Sequence, residues 1–170
     1  MSKTDPQVAV VMGSDSDLGT MQRCLDRLAE LGIGCEVRIL SAHRTPDALD
    51  EFAAELAARG VKLVIAAAGM SAALAGAIAA RTTLPVIGVA IASGPMQGID
   101  ALMSTVQMPP GVPVGCVGVG EAGAANAAVY AAEILALADP EMAQRLAEHK
   151  RLQAEKTLKK DAKLRSRPDR

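Results

Sequence analysis

The chain of 170 residues has one phenylalanine, Phe52, one tyrosine, Tyr130, and no tryptophan. Rings dominate burial in most cores, so this core must be built from Ala, Val, Leu, Ile and Met. Two rings also exclude a stacking platform for single-stranded nucleic acid. Small side chains bury little area each, which raises the expectation that partner subunits supply part of the burial. Histidine is equally scarce, with only His43 and His149. Three cysteines, Cys24, Cys35 and Cys116, are odd in number and match no metal-ligand spacing. They read as small buried hydrophobes in a reducing, cytoplasmic setting, and no metal site is expected. The MSKTDPQ start has no basic segment leading into an apolar run, so no signal peptide is expected. A large net charge is also missing, since the formal value is -1. That excludes a non-specific nucleic-acid binder with a net positive surface.

Apolar residues are plentiful, at 50% of the chain, which is too many for intrinsic disorder. The length suits a single domain over 1–170. Residues 63–80 carry no charge and approach the length of a membrane span. Most of them are Ala, Gly or Ser, which gain little from lipid, and prolines interrupt the uncharged stretches at 82–99 and 101–120. These segments read as buried strands and helices, so no membrane is expected as a partner. Charge is unevenly placed. Residues 141–170 hold ten Lys/Arg and five Asp/Glu, a net of +5, and the other 140 residues hold eight and fourteen, a net of -6. The basic tail keeps helical apolar spacing, which favours contact with a neighbouring subunit over a nucleic-acid arm.

Apolar runs at 8–12, 35–40, 62–67, 85–91 and 114–119 read as strands. Between them lie helical patterns. Leu18, Met21, Leu25, Leu28 and Leu31 recur at helical spacing and stop at Gly32. Thr45 is a candidate N-cap, with Pro46 at the first helical position and a helix from 47 to 59. Further helices are expected at 71–81, about 98–106, about 120–138 and from about 140 into the 160s, fraying at RSRPDR. Regular alternation with short connections predicts an α/β fold with a central parallel sheet covered on both faces.

Ligands of open parallel sheets bind beyond the carboxyl ends of the strands. Five loops lie there: GSDSD (13–17), SAHRTP (41–46), AAGMS (67–71), ASGPMQG (92–98) and VGEAGAAN (119–126). GSDSD is neither a dinucleotide fingerprint nor a P-loop. Its Ser14 and Ser16 hydroxyls and helix-start N–H groups suit an anion, or they simply cap a helix. Asp15 and Asp17 would repel a phosphate, so one of them must face elsewhere, such as toward a ribose hydroxyl. SAHRTP is more specific. Arg44 offers a planar fork for phosphate. His43 beside it offers the side chain whose ordinary titration falls nearest neutral pH. His149 sits among charges and reads as solvated. AAGMS and ASGPMQG offer backbone for close approach to a flat, polar ligand.

VMGSDSD (11–17), SAHRTP (41–46), QMPPGVPVG (107–115) and GAANAA (123–128) together resemble the PurE family of purine biosynthesis. The resemblance covers about residues 7–140, with the terminal helix also fitting. It implies a three-layer flavodoxin-like (Rossmann-like) sandwich with an extra C-terminal helix at about 140–166, packed in subunit contacts of a homo-octamer. It implies a mutase that moves a carboxylate from the exocyclic nitrogen of an aminoimidazole ribonucleotide to the neighbouring ring carbon, with no metal and no cofactor. Phosphate and ribose are expected at Ser14, Ser16, Asp17, Ser41 and Arg44. His43 is the expected proton carrier, and Gly69, Met70 and Ser71 complete the substrate-binding set.

One stretch departs from the pattern. Where mutases of the family carry G-G-A-A-H-L-P-G, this chain has Gly69-Met70-Ser71-Ala72-Ala73-Leu74-Ala75-Gly76. The second histidine is Ala73 and the proline is Ala75. Ser71 and Leu74 lean toward the G-R-S-N-x-L of related carboxylases, which take free carbon dioxide directly. The mutase is the favoured reading and the carboxylase the alternative. A non-catalytic nucleotide-binding module is the rival from another class, and it would have no need of His43.

Overall fold

Val8–Met12 has no polar face, and all five residues are buried in strand β1. A strand of this kind belongs in the middle of a sheet covered on both sides. In the computed structural model, which describes residues 6–166, β1 is flanked by β2 (Cys35–Ile39) and β3 (Leu63–Gly69). β4 (Val86–Ile91) and β5 (Gly115–Val119) complete a parallel sheet of order β2-β1-β3-β4-β5. Helices α1 (Leu18–Glu30), α5 (Gly120–Ala136) and α6 (Pro140–Arg165) cover one face. Helices α2 (Pro46–Glu55), α3 (Leu74–Ala79) and α4 (Ile99–Val106) cover the other. This is the expected flavodoxin-like α/β sandwich with its additional C-terminal helix. Its strand order reverses between β1 and β3, which makes their carboxyl ends the natural ligand crevice.

The pleat divides the core. Val8, Val10 and Met12 point toward α1 and α5, joined by Ile65, Ile87 and Val89. Ala9 and Val11 point the other way, toward Leu49, Leu56, Ile78 and Phe52, the one ring in the core. On α5, Ala124, Ala127, Ala128, Ala131 and Ala132 are fully buried. Helix and sheet approach closely there: a Cβ on Gly123 would lie 2.3 Å from the Gly118 carbonyl oxygen. The shortage of rings is thus met by short separations between layers, which preserve dense packing with small side chains. Helix α6 inserts Met142 and Leu146 but leaves Leu152, Leu158 and Leu164 exposed.

Helix ends follow sequence chemistry with local corrections. Gly32 stops α1 as expected: its N–H donates to the Ala29 carbonyl and that of Ile33 to Leu28, the paired bonds of a Schellman cap. The same pattern at Gly60 closes α2 after Glu55, so the expected last turn to Arg59 is cap and not α-helix. Thr45 precedes α2 but makes no capping bond. Its hydroxyl accepts from the Ser41 N–H at 2.9 Å and is thereby committed to the SAHRTP loop. The helix expected at 71–81 is shortened to Leu74–Ala79, because β3 runs on to Gly69 and a tight loop follows. Cys24 is buried as expected, whereas Cys35 and Cys116 lie half-buried on the outer strands. His149 is not simply solvated. It is half-buried, with Nδ1 3.5 Å from Arg27 Nη1 and Nε2 2.9 Å from Gln153 Nε2. Burial and the Arg27 charge lower its pKa. The MSKTD start and the last residues of RSRPDR, where fraying is expected, lie outside the described residues. No described helix is long and apolar enough to cross a membrane.

Candidate active site

β1 ends at Met12 and hands the chain to GSDSD. Asp15–Asp17 winds as a 3₁₀ turn closed by a reciprocal capping box. The Ser14 N–H donates to Asp17 Oδ2 at 3.1 Å, and the Ser16 N–H donates to Ser14 Oγ at 3.3 Å. Ser16 Oγ lies 2.9 Å from Ser14 Oγ. Capping is therefore real, and it occupies N–H groups that the sequence offered to an anion. Ser14 and Ser16 nonetheless line the crevice, with the Ser14 hydroxyl also donating to Asp15 Oδ1 at 3.1 Å. The two carboxylates also separate. Asp15 is exposed, while Asp17 is buried and lines the crevice. Burial raises the Asp17 pKa, against the opposing pull of its hydrogen bonds from Ser14 and Ser16 and the charge of Arg44.

β2 delivers SAHRTP to the same edge. Ser41 Oγ accepts from both the backbone N–H and the Nε of Arg44, at 3.2 and 3.3 Å. Arg44 Nη2 donates to the Gly13 carbonyl, so the second loop is fastened to the first. The guanidinium is held at two points with its charge still on the crevice wall. His43 is the one imidazole lining the crevice, and it is exposed.

The facing wall is made by β3 and β4. Gly69 packs closely here: an added Cβ would lie 2.1 Å from Ser93 Oγ, so that hydroxyl would have to turn away. Met70 follows with φ 55°, a left-handed backbone uncommon in residues other than glycine. Two tight bonds hold it, Ala72 N–H to the Met70 carbonyl at 2.9 Å and Ala73 N–H to the Ser71 carbonyl at 2.6 Å. Ser71, Ala73 and Leu74 complete this wall, which carries no titratable group.

These walls enclose a cavity of about 540 Å³, a size suited to one small polar ligand. All nine expected site residues line it: Ser14, Ser16, Asp17, Ser41, His43, Arg44, Gly69, Met70 and Ser71. Four of the five expected loops contribute. VGEAGAAN does not, since β5 is the far edge of the sheet and its following loop enters α5 away from the β1/β3 crevice. Ser93 is the polar residue that sequence reasoning passed over. The composition of its loop does not reveal that this side chain packs against Gly69 and lines the cavity. QMPPGVPVG also stays outside the cavity: Met108 packs on Gly76, where an added Cβ would meet its Cε at 3.1 Å. Among the described residues no cluster of His, Cys, Asp and Glu could hold a metal ion.

A parallel α/β sandwich with hydroxyls, an anchored arginine and one imidazole at its topological switch defines the class as a small-molecule α/β enzyme fold. Residues 7–156 match the family model described as AIR carboxylase, and the chain belongs to that family. It is 51% identical over 148 residues to an N5-carboxyaminoimidazole ribonucleotide mutase of Brucella melitensis, covering 87% of this chain and 91% of that protein. It is 47% identical over 158 residues to the mutase of the same name from Escherichia coli, covering 92% and 94%. The crystal structure of Treponema denticola PurE superposes with a TM-score of 0.85 at 32% identity, covering 95% of this chain and 99% of that one.

Proposed function

We propose that this chain is an N5-carboxyaminoimidazole ribonucleotide mutase of de novo purine biosynthesis, acting as one catalytic domain over residues 1–170. The observation that carries the reading is the placement of a single imidazole, His43, between an anion-holding wall and a wall with no titratable group. Ser14, Ser16 and Arg44 hold the phosphate, with Ser41 fixing Arg44, and Asp17 takes the ribose hydroxyls. Gly69, Met70 and Ser71 receive the imidazole ring and its carboxylate through backbone and small side chains.

The chemistry needs one proton used twice. Protonated His43 gives its proton to the exocyclic nitrogen as the N–C bond to the carboxyl group breaks. The bond pair stays on nitrogen and carbon dioxide is released into the cavity. The ring carbon, activated by the amine, then attacks carbon dioxide. The new C–C bond forms, and the ring carbon's proton passes to the neutral His43. Atoms and charge balance without ATP, metal, redox partner or cofactor. General acid–base help of this kind is worth about 10²–10⁴-fold.

A second reading is a carboxylase that adds free carbon dioxide to aminoimidazole ribonucleotide. Ala73 favours it, because the facing wall has no second imidazole. The identities to proteins named as mutases favour the first. The exposed leucines of α6 and its basic charge suit subunit contacts in a homo-octamer, and the free thiols suit the cytoplasm. Incubating the protein with each ribonucleotide tests the function. The mutase consumes the carbamate without ATP or added bicarbonate. Consumption of aminoimidazole ribonucleotide only when bicarbonate is added identifies the carboxylase, and binding with no turnover of either identifies a non-catalytic module.

A further inference from the structure

The wall opposite His43 has one long flexible side chain at its mouth, and it stands on an unfavourable backbone. Met70 has φ 55° and is 59% exposed. A non-glycine residue in the left-handed region carries a penalty that persists only where its surroundings fix it. Here the surroundings do so: the two tight bonds to Ala72 and Ala73 pin the turn, and Gly69 is closed against Ser93. A glycine at position 70 would meet the same backbone demand at less cost. The strain therefore points to the side chain.

That side chain leaves the tip of β3 and reaches toward the loop after β4. Its Cγ lies 3.7 Å from where a Cβ on Gly94 would stand. Gly94 has φ 69°, and Gln97 in the same turn is the other left-handed non-glycine residue of the described chain. The Gln97 N–H closes this turn on the Gly94 carbonyl at 3.3 Å. Two constrained turns are therefore neighbours beside the cavity, with the Met70 side chain, which lines it, packed toward Gly94 of the second. Methionine suits such a place because it is apolar, unbranched and able to adjust its shape.

We propose that Met70 is a specificity-determining residue of the carboxylate transfer, the apolar stopper that keeps carbon dioxide in the cavity between N–C cleavage and C–C formation. This rests on the mutase reading. Between the two steps the transferred group is a small neutral molecule that no charge on the wall can hold, so retention depends on closing the exit and excluding water. The facing wall has no imidazole at Ala73 to do this by hydrogen bonding. An apolar side chain over the exit retains carbon dioxide by obstruction, and it also commits the cavity to an internally generated supply.

The test measures partition. Purified parent, Met70→Gly and Met70→Leu proteins are given the carbamate, and two products are followed together: the ring-carboxylated ribonucleotide, and aminoimidazole ribonucleotide with its carbon dioxide. Whatever its total rate, Met70→Gly is expected to leak at least fivefold more of the carbamate it consumes as aminoimidazole ribonucleotide. Its thermal midpoint should not fall, because glycine relieves the left-handed penalty. Met70→Leu, which keeps an apolar side chain of similar volume, should return the leak toward the parental fraction. A merely structural role for Met70 would change total rate and stability without moving the partition. An unchanged partition in Met70→Gly overturns the proposal. Failure of the parent to consume the carbamate overturns the mutase reading instead, and the two results cannot be confused.

Discussion

The two walls of the cavity are built on opposite plans. The wall from β1 and β2 is polar and wired to itself: Asp17 accepts from Ser14, Ser41 accepts from Arg44, and Arg44 donates to Gly13. The wall from β3 and β4 has no titratable group, relies on backbone approach at Gly69 and holds one non-glycine residue, Met70, at positive φ. The first plan preorganises charge and hydrogen bonds, as the proposed binding of a ribonucleotide requires. The second offers an uncharged surface, which on the proposed mechanism would favour retention of a neutral intermediate. On the proposed function, binding and transfer are assigned to different chemistry on the two walls.

That division can be broken at its centre first. His43→Asn should lower kcat by about 10²–10⁴-fold while leaving the dissociation constant for substrate nearly unchanged, as steady-state kinetics and calorimetry would show. On the polar wall, Arg44→Ala should raise KM by about 10–100-fold, the equivalent of losing hydrogen bonds to a charged group worth about 1.5–3 kcal/mol. Its partition between product and leaked carbon dioxide should stay at the parental value, in contrast to Met70→Gly.

On the facing wall, Gly69→Ala forces the Ser93 hydroxyl to swing out of its place. A loss of about 1 kcal/mol in urea denaturation is expected from such overpacking. Adding Ser93→Ala should recover part of it, a coupling readable in a double-mutant cycle. The smallest effect concerns pH. Burial raises the Asp17 pKa, so the folded chain keeps this proton at pH values where the unfolded chain has released it. Its favourable contribution is present below the ordinary carboxylate value of about 3.9 and is lost as pH rises through the raised folded value. Asp17→Asn should flatten that decline in denaturation curves taken across mildly acidic pH.

Much of this was legible in the residues. Continuous apolar runs separated by Gly-terminated helical patterns specify a parallel sheet, and every expected strand and helix is present with shifts at the ends. Those shifts have local causes. Thr45 looks like a cap in sequence, but Ser41 four residues earlier claims its hydroxyl. The polar wall was readable because Ser14, Asp17, His43 and Arg44 sit in loops directly after apolar strand runs, where a parallel sheet binds its ligands. The facing wall was readable only in part. Gly69, Met70 and Ser71 were found through their motif, but Ser93 depends on which way one side chain turns after β4, and a loop's composition does not contain that. The left-handed φ of Met70 is likewise invisible in sequence, where a methionine gives no hint of backbone strain.

The central claim is that the carboxyl group crosses from nitrogen to carbon inside this cavity without mixing with solvent carbon dioxide. Carbamate labelled with carbon-13 at its carboxyl group, given to the protein in a large excess of unlabelled bicarbonate, tests it most directly. The account predicts that the ring-bound carboxylate keeps nearly all of the label. A product carrying unlabelled carboxylate, or formed only from aminoimidazole ribonucleotide and bicarbonate, would contradict it.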